Sequence, residues 1–248
     1  MADQTADRTA EETADPTADA TEAAPEHEAE GPLEATTAGE GLDDAALERR
    51  AEALAQVVKF GDPVLRSKAS PVTEFDDALA ADAERMIAIM RDGMGVGLAA
   101  TQLGILRRIL VFQAGADAPP TALVNPELEW SSERDAATAE EGCLSLPRVV
   151  LDVERPLHVL VRGADVTGAP VTIEASGLEA RVLQHEIDHL NGVLILQRAP
   201  KDQRRGAMRA LREGGTYAPP RPEDEEEEGR EAGEEGTAGS NGGGSAGG

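Results

Sequence analysis

The sequence His185-Glu186-Ile187-Asp188-His189 is an H-E-x-x-H motif. On a helix, two histidines four residues apart project from the same face, so both imidazoles can bind one metal ion. The intervening Glu186 can reach a water molecule beside that metal and accept its proton. The motif therefore predicts a metal-dependent hydrolase.

An alternative is that these two histidines fill the core or cap a helix. Two of the four histidines in the chain share this spacing around a glutamate, which favours the metal site. The other two, His27 and His158, have no such neighbours, and we interpret both as structural or solvated.

A catalytic metal of this type needs a third protein ligand. Peptidases with this motif take it from a downstream His or Glu, but no His follows His189 and the first Glu is Glu213. Upstream lies Cys143, the only cysteine of the chain. It could be a small buried hydrophobe, but a thiolate is a strong metal ligand. We predict Cys143, His185 and His189 as the ligand set.

The motif must lie on a helix, which the pattern predicts over residues 177–191. Ser176 and Glu179 match a capping box, and Gly192 follows where a C-terminal cap is expected. Two apolar residues, Leu178 and Val182, share the stripe of the histidines.

Leu178 and Val182 have two interpretations of equal weight. They form a pocket wall beside the metal, wide enough for a methionine side chain, or they are ordinary core residues. The neighbouring Arg181 leaves part of the pocket rim undefined.

The remaining pattern predicts an α+β domain with antiparallel sheet. Helices are expected over residues 43–57, with Asp43 or Asp44 as the cap, and over residues 77–91. Strands follow one another without alternating helices, which favours antiparallel pairing. The predicted strands are 109–112, 122–124, 157–161 and 170–173, the last two as a hairpin.

The net charge of −25 is concentrated at the two ends of the chain. Residues 1–50 hold 15 acidic and 3 basic side chains, and residues 214–248 hold nine and two. Neither end has enough apolar surface to fold, so 1–42 and 214–248 are predicted to be disordered tails around a catalytic domain at 43–213. Their acidity argues against binding to DNA or other nucleic acid.

The chain is expected to be cytoplasmic. One cysteine allows no intramolecular disulfide, which indicates a reducing compartment. No apolar run approaches the roughly 18 residues of a membrane span, and the N-terminus lacks the features of a secretory signal.

Three segments match, in order, the signature of one enzyme family. GVGLAATQ at 95–102 resembles G-φ-G-φ-A-A-x-Q, where φ is apolar; EGCLS at 141–145 resembles E-G-C-φ-S; HEIDH at 185–189 resembles H-E-φ-D-H. The chain thus resembles peptide deformylases from about residue 57 to 198. The resemblance implies antiparallel β-sheets packed around a central helix that carries the H-E-x-x-H motif.

The resemblance also implies an activity, the hydrolytic removal of the formyl group from the N-terminal formyl-methionine of newly made polypeptides. Cys143, His185 and His189 would hold ferrous iron, with zinc, nickel or cobalt able to replace it. Glu141 and Asp188 are expected to orient the ligands or neighbouring charges.

Further roles follow from the same resemblance. Glu186 would be the general base and then the general acid. The side chain of Gln102 and the backbone N–H of Leu144 would stabilise the oxyanion, and Gly97 would let the backbone approach the substrate closely.

Residues 201–213 predict a basic helix. Related enzymes use such a helix to contact ribosomal RNA near the nascent-chain exit, and the alternative is a solvated helix that balances the acidic tail. Two rival functions stay open: an H-E-x-x-H peptidase that cuts internal peptide bonds, and a non-catalytic ribosome-associated protein. The missing downstream ligand argues against the first, and the intact motifs argue against the second.

Overall fold

The computed structural model describes residues 42–115 and 117–221. All of them lie in one unit of the chain, Gly31–Gly248. None of the helices in these ranges is long and apolar enough to cross a bilayer. The helices are α1 Asp44–Gln56, α2 Asp77–Asp92, α3 Gly177–Leu190, α4 Ile195–Arg198 and α5 Lys201–Glu213. The strands are β1 Gly97–Ala99, β2 Ile109–Phe112, β3 Thr121–Ser131, β4 Ala136–Glu141, β5 Leu151–Pro156, β6 His158–Ala164 and β7 Pro170–Ser176.

Aspartate side chains begin the first two helices. Asp43 Oδ1 accepts a hydrogen bond from the N–H of Ala46 at 2.7 Å, and Asp76 Oδ1 accepts one from the N–H of Leu79 at 2.9 Å. Each bond satisfies an amide that the helix itself leaves without a partner. The helices predicted over residues 43–57 and 77–91 are confirmed.

The strands form two antiparallel sheets. Five strands lie in the order β1-β2-β3-β6-β7, with each neighbouring pair antiparallel. Strands β4 and β5 form a separate antiparallel pair, which the sequence pattern did not predict. The α+β class with antiparallel sheets is confirmed.

Helix α3 is the centre of the domain. It packs against strands of both sheets and against the 3-10 turn Ala100–Leu103, and every residue from 180 to 190 is buried. The helix therefore has no solvated face, although an apolar stripe alone was predicted. Its polar side chains consequently need partners inside the protein.

The start of α3 differs from the prediction. Ser176 is at the N-cap position but its side chain makes no capping bond, so the predicted capping box is wrong. The register of β6 and β7 places Ser176 opposite His158, and its hydroxyl lies 2.8 Å from His158 Nδ1 instead. The Ser176 hydroxyl therefore has the His158 imidazole as its partner instead of a backbone amide of α3.

The end of α3 was predicted correctly at Gly192. This residue has φ +74 and its N–H donates to the carbonyl of His189 at 3.0 Å. A Cβ here would lie 2.5 Å from the carbonyl oxygen of Arg66. Both the left-handed backbone and the close approach require glycine.

The ordered contacts continue beyond the predicted domain end at residue 213. The N–H of Tyr217 donates to the carbonyl of Arg148, and the N–H of Val150 donates to the carbonyl of Tyr217, each at 2.9 Å. The Tyr217 ring packs against Gly206 on α5. Residues 1–41 and 222–248 lie outside the described residues, so disorder in the tails stays a prediction.

Candidate metal centre and active site

Three predicted ligands converge at α3. His185 and His189 come from the helix, Cys143 comes from the loop after β4, and their ligand atoms all lie within 4.8 Å of one another. Cys143 Sγ is 3.2 Å from His189 Nε2, and the two imidazoles meet edge to face. Ligand atoms around a tetrahedral ion are separated by about 3.4 to 3.7 Å. This buried donor set therefore fits one metal ion.

A carboxylate fixes the orientation of His185. Glu141 Oε2 lies 3.0 Å from His185 Nδ1, which leaves Nε2 to face the ligand cluster. Burial by itself would lower the pKa of His185, but contacts with Cys143 and Glu141 outweigh it and raise the pKa well above 6.5. Burial and the nearby His185 lower the pKa of His189. Because metal ligands must be deprotonated, metal binding here is expected to release protons.

Glu141 is itself held by two buried arginines. Arg155 binds it with two bonds, Nε to Oε1 at 2.8 Å and Nη2 to Oε2 at 2.9 Å, and Arg181 Nη1 lies 2.8 Å from Oε1. Burial would raise the pKa of this fully buried carboxyl, but hydrogen bonds with Arg155 and His185 hold it well below the usual range. Glu141 is thus a negatively charged partner for His185.

The ion pairs continue along α3 to Asp188, three residues after His185. Arg155 Nη1 lies 2.7 Å from Asp188 Oδ2, and Arg198 Nε donates to the same oxygen at 2.9 Å. Burial would lower the pKa of Arg155, but Glu141 and Asp188 outweigh it and raise the pKa. The continuous chain from His185 through Glu141 and Arg155 to Asp188 provides the orienting contacts expected of both carboxylates.

Sequence reasoning missed both arginines. Arg181, expected near a pocket rim, is buried and also donates to the carbonyls of Val153 and Ala137. Arg155 follows Leu151 and Val153 in strict alternation on β5, and all three are buried. That alternation was the available signal for an inward-facing arginine.

Gln102 directs a donor at the ligand cluster. Its Oε1 accepts a hydrogen bond from the N–H of Ala99 at 2.8 Å, which fixes which end of the amide carries the NH₂ group. The Nε2 atom then lies 3.6 Å from Cys143 Sγ and 3.4 Å from Ser145 Oγ. The donor is buried and oriented before any substrate arrives.

A short segment after α1, residues 58–60, joins the first two motifs. Its three consecutive residues donate hydrogen bonds to backbone carbonyls of both motifs, and we call it the donor clamp. Sequence reasoning assigned it no role in the site. The bonds run from Val58 N to Gln102 O at 2.7 Å, from Lys59 Nζ to Leu144 O at 3.1 Å, and from Phe60 N to Ser145 O at 2.8 Å.

Comparisons with known proteins decide the family. The family model described as polypeptide deformylase matches residues 54–205, more than half of the chain. The chain belongs to the peptide deformylase family. The matched span includes the predicted range of about 57–198 and contains every residue of the site described above.

Individual members of the family are similar over most of their own length. The peptide deformylase of Parafrankia sp. (strain EAN1pec) is 46% identical over 163 residues, covering 66% of this chain and 88% of the relative. That of Thermotoga neapolitana is 53% identical over 140 residues, covering 56% and 83%. The solved structure of the Synechococcus elongatus peptide deformylase in complex with actinonin is 41% identical, with a TM-score of 0.60, and covers 65% of this chain and 88% of that one.

Gly97, in the first family motif, lies against Glu186. A Cβ on Gly97 would come 2.4 Å from Glu186 Oε1 and 2.9 Å from its Cγ and Cδ. Real Cβ atoms do not approach this closely, so Gly97 makes room for the carboxylate as well as for the predicted substrate. The two residues bring β1 and α3 together at the ligand cluster.

The two predicted pocket residues occupy different environments. Val182 is 1% exposed and belongs to the core that includes Leu110 and Phe112. Leu178 is only partly buried and packs against that core. A role for either residue in a deformylase substrate pocket stays a prediction.

Proposed function

We propose that this chain removes the formyl group from the N-terminal formyl-methionine of newly made polypeptides by metal-dependent hydrolysis. The observation that carries the proposal is the convergence of Cys143, His185 and His189 beside Glu186 in a member of this family. A divalent metal held by these three residues would polarise the formyl carbonyl and lower the pKa of a water molecule toward neutrality.

Glu186 is the general base and then the general acid in this proposal. Its carboxylate accepts a proton from the attacking water as oxygen adds to the formyl carbon. The carbon–nitrogen bond then breaks, and Glu186 returns the proton to the departing amine. The products are formate and a polypeptide with an amino group at its methionine.

Two donors stabilise the negative charge that develops on the formyl oxygen. They are Gln102 Nε2 and the backbone N–H of Leu144. The bond from Ala99 to Gln102 Oε1 supports this role, since it turns Nε2 toward the ligand cluster. Preorganised donors avoid reorganisation during the reaction, which is the source of their effect on rate.

The end of the sheet offers a place for the substrate backbone. Strand β1 is the end strand of its sheet, and in the described ranges one of its edges pairs with no other strand. An extended peptide can add to such an edge through main-chain hydrogen bonds. Gly97 lies on this strand, and Leu178 and Val182 would bound the methionine side chain.

We propose ferrous iron as the metal in the cell, with zinc, nickel or cobalt as possible occupants in vitro. A thiolate with two imidazoles is a donor set that suits all four ions. Metal analysis of protein purified without oxygen tests the assignment, and zinc as the main metal with full activity would overturn it.

The proposed partner beyond the substrate is the ribosome, contacted by residues 201–213, and the proposed location is the cytoplasm. Arg204, Arg205 and Arg209 are exposed on α5 and could approach RNA phosphates. Charge reversal at these three residues should weaken ribosome binding, and unchanged binding would refute the contact. Fractionation of cells tests the location.

The central proposal is tested by formate release from a formyl-methionine peptide. Metal-loaded protein purified without oxygen should release formate, and Glu186→Ala should lose at least about a hundredfold in kcat while it keeps its metal. Cys143→Ala should lose the metal itself, whereas a peptidase with a different third ligand would retain it. No formate from the metal-loaded protein would refute the proposal.

A further inference from the structure

A basic groove lies between α5, α4 and the 3-10 turn Pro63–Arg66, and none of the three candidate metal ligands lines it. Its volume is about 570 Å³, and four arginines surround an apolar floor. We call this the arginine groove. Its principal lining residues are Arg66, Arg204, Arg205 and Arg212, with Leu196 and Met208 as the floor.

Among the described residues, no acidic side chain lines the arginine groove. Within residues 42–115 and 117–221, the guanidinium groups of Arg204, Arg205 and Arg212 form no hydrogen bond or ion pair. Arg66 lies over the ring of Phe60 at 5.9 Å, a contact that leaves its charge uncompensated. Like charges this close on one surface repel each other. An anionic occupant would relieve that repulsion.

The sequence supplies an anion of suitable chemistry close by. Residues 223–228 are Glu-Asp-Glu-Glu-Glu-Glu, six acidic side chains in a row. They follow Tyr217, which is fixed against Gly206 on the same helix that forms the groove. The six residues from Tyr217 to Glu223 span at most about 20 Å when fully extended. A helix with its side chains is about 10 to 12 Å across. The acidic run can therefore reach around α5.

We propose that the arginine groove binds the chain's own acidic run, residues 223–228. Carboxylates pair with arginine through charge-assisted and often bidentate hydrogen bonds. A short tether gives the run an effective concentration of the order of millimolar, so a weak interaction suffices for occupancy. An outside polyanion must displace the run before it can bind.

The regulatory consequence depends on the proposed ribosome contact. Arg204 and Arg205 belong both to the arginine groove and to the helix face proposed to meet ribosomal RNA. The acidic run is then an internal competitor for RNA, and its release accompanies docking. Binding of the run in the groove does not itself depend on the deformylase activity.

Arginine modification by phenylglyoxal, quantified by peptide mass spectrometry on the full chain, tests the proposal. One variant changes the six acids at 223–228 to the corresponding amides. Modification of Arg204, Arg205 and Arg212 should become about threefold faster or more in this variant. Arg134, which is exposed on the β3–β4 connection, is the internal reference and should not change.

A second variant with the same change in net charge is the matched control. It replaces six acids of the other end with amides: Glu11, Glu12, Asp15, Asp19, Glu22 and Glu26. Groove arginines should react in it as in the unmodified chain, and about 1 M salt should abolish the protection. Equal rates in all three proteins, or equal acceleration in both variants, would refute the proposal.

Varying the protein concentration distinguishes binding of the acidic run within one chain from binding between two copies of the chain. Protection that is constant over a hundredfold dilution supports binding within one chain, whereas protection lost on dilution assigns the groove to a second copy and overturns the proposal. Formate release, measured in parallel, should be unchanged in both variants. Failure of that activity in every protein would refute the proposed function and leave the groove result intact.

Discussion

Arginine has opposite surroundings in two parts of the molecule. Behind α3, Arg155 and Arg181 are buried and locked onto Glu141. On α5, Arg204 and Arg205 are exposed beside an apolar floor. The buried pair holds Glu141 in place beside His185. The exposed pair presents positive charge to an occupant of the arginine groove. The same residue type therefore has two roles. Buried arginines with carboxylate partners stabilise the structure, and exposed arginines without such partners are available to bind a ligand.

The largest expected effect on stability is at the buried residue Arg155. Arg155→Met removes the buried cation shared by Glu141 and Asp188, which keep only Arg181 and Arg198 as their charged partners. We expect the free energy of unfolding to fall by about 3 to 5 kcal/mol, measured by urea denaturation of protein with matched metal content. The control is Arg107→Met, which breaks a partly exposed ion pair with Asp82 and should cost at most about 1 kcal/mol. Equal losses would show that burial does not distinguish these arginines.

The close contact between Gly97 and Glu186 tests the proposed catalytic role of Glu186. Gly97→Ala forces a Cβ into Glu186, so the proposed base must move by up to an ångström. We expect kcat to fall about a hundredfold while the metal content, measured by elemental analysis, stays the same. Gly215→Ala is the control, because its Cβ would meet neighbours only at 3.8 Å or more. Full activity in Gly97→Ala would mean that the close approach of Gly97 does not fix the position of Glu186.

A smaller effect is expected at the donor clamp. Lys59→Met removes the bond to the carbonyl of Leu144, whose own N–H is a proposed oxyanion donor. We expect kcat for formate release to fall about tenfold with little change in KM, since one charged hydrogen bond is worth about 1.5 to 3 kcal/mol. Lys68→Met, at another exposed lysine, should change neither constant. A loss confined to KM would place Lys59 in substrate binding instead.

The smallest effect on stability is expected at the exposed residues Arg204 and Arg205. Arg204→Gln combined with Arg205→Gln removes no partner within the described part of the chain. The free energy of unfolding should change by no more than about 0.5 kcal/mol, and formate release should be unaffected. Destabilisation as large as that of Arg155→Met would contradict the distinction between the two regions.

Local patterns in the sequence were sufficient for much of the fold and for the ligand set. Helices α1 to α3, the basic helix α5 and the β6–β7 hairpin each follow from capping residues, apolar spacing or turn residues. Strand β4 does not, because its sequence, AATAEE, has no apolar alternation and gains its order by pairing with β5. The convergence of Cys143 with the two histidines could be predicted because the usual downstream ligand is missing and because the EGCLS motif resembles that of the family.

The polar network behind the ligands could not be predicted from the sequence. The alternation with Leu151 and Val153 indicates that Arg155 faces inward, but its partners Glu141 and Asp188 lie 14 residues before it and 33 after it, so no local pattern identifies them. The missing capping bond at Ser176 has a similar cause, since His158 is its neighbour only through strand pairing. In each case a tertiary contact overrides a local preference.

The donor clamp has a consequence for the order in which the protein assembles. The two histidines are four residues apart on one helix, so their spacing is set as soon as α3 forms. The bond from Lys59 to Leu144 closes a loop of 85 residues, and contacts so distant in sequence form late. We therefore expect the spacing of the two histidines to be set before the donors for the formyl oxygen are aligned.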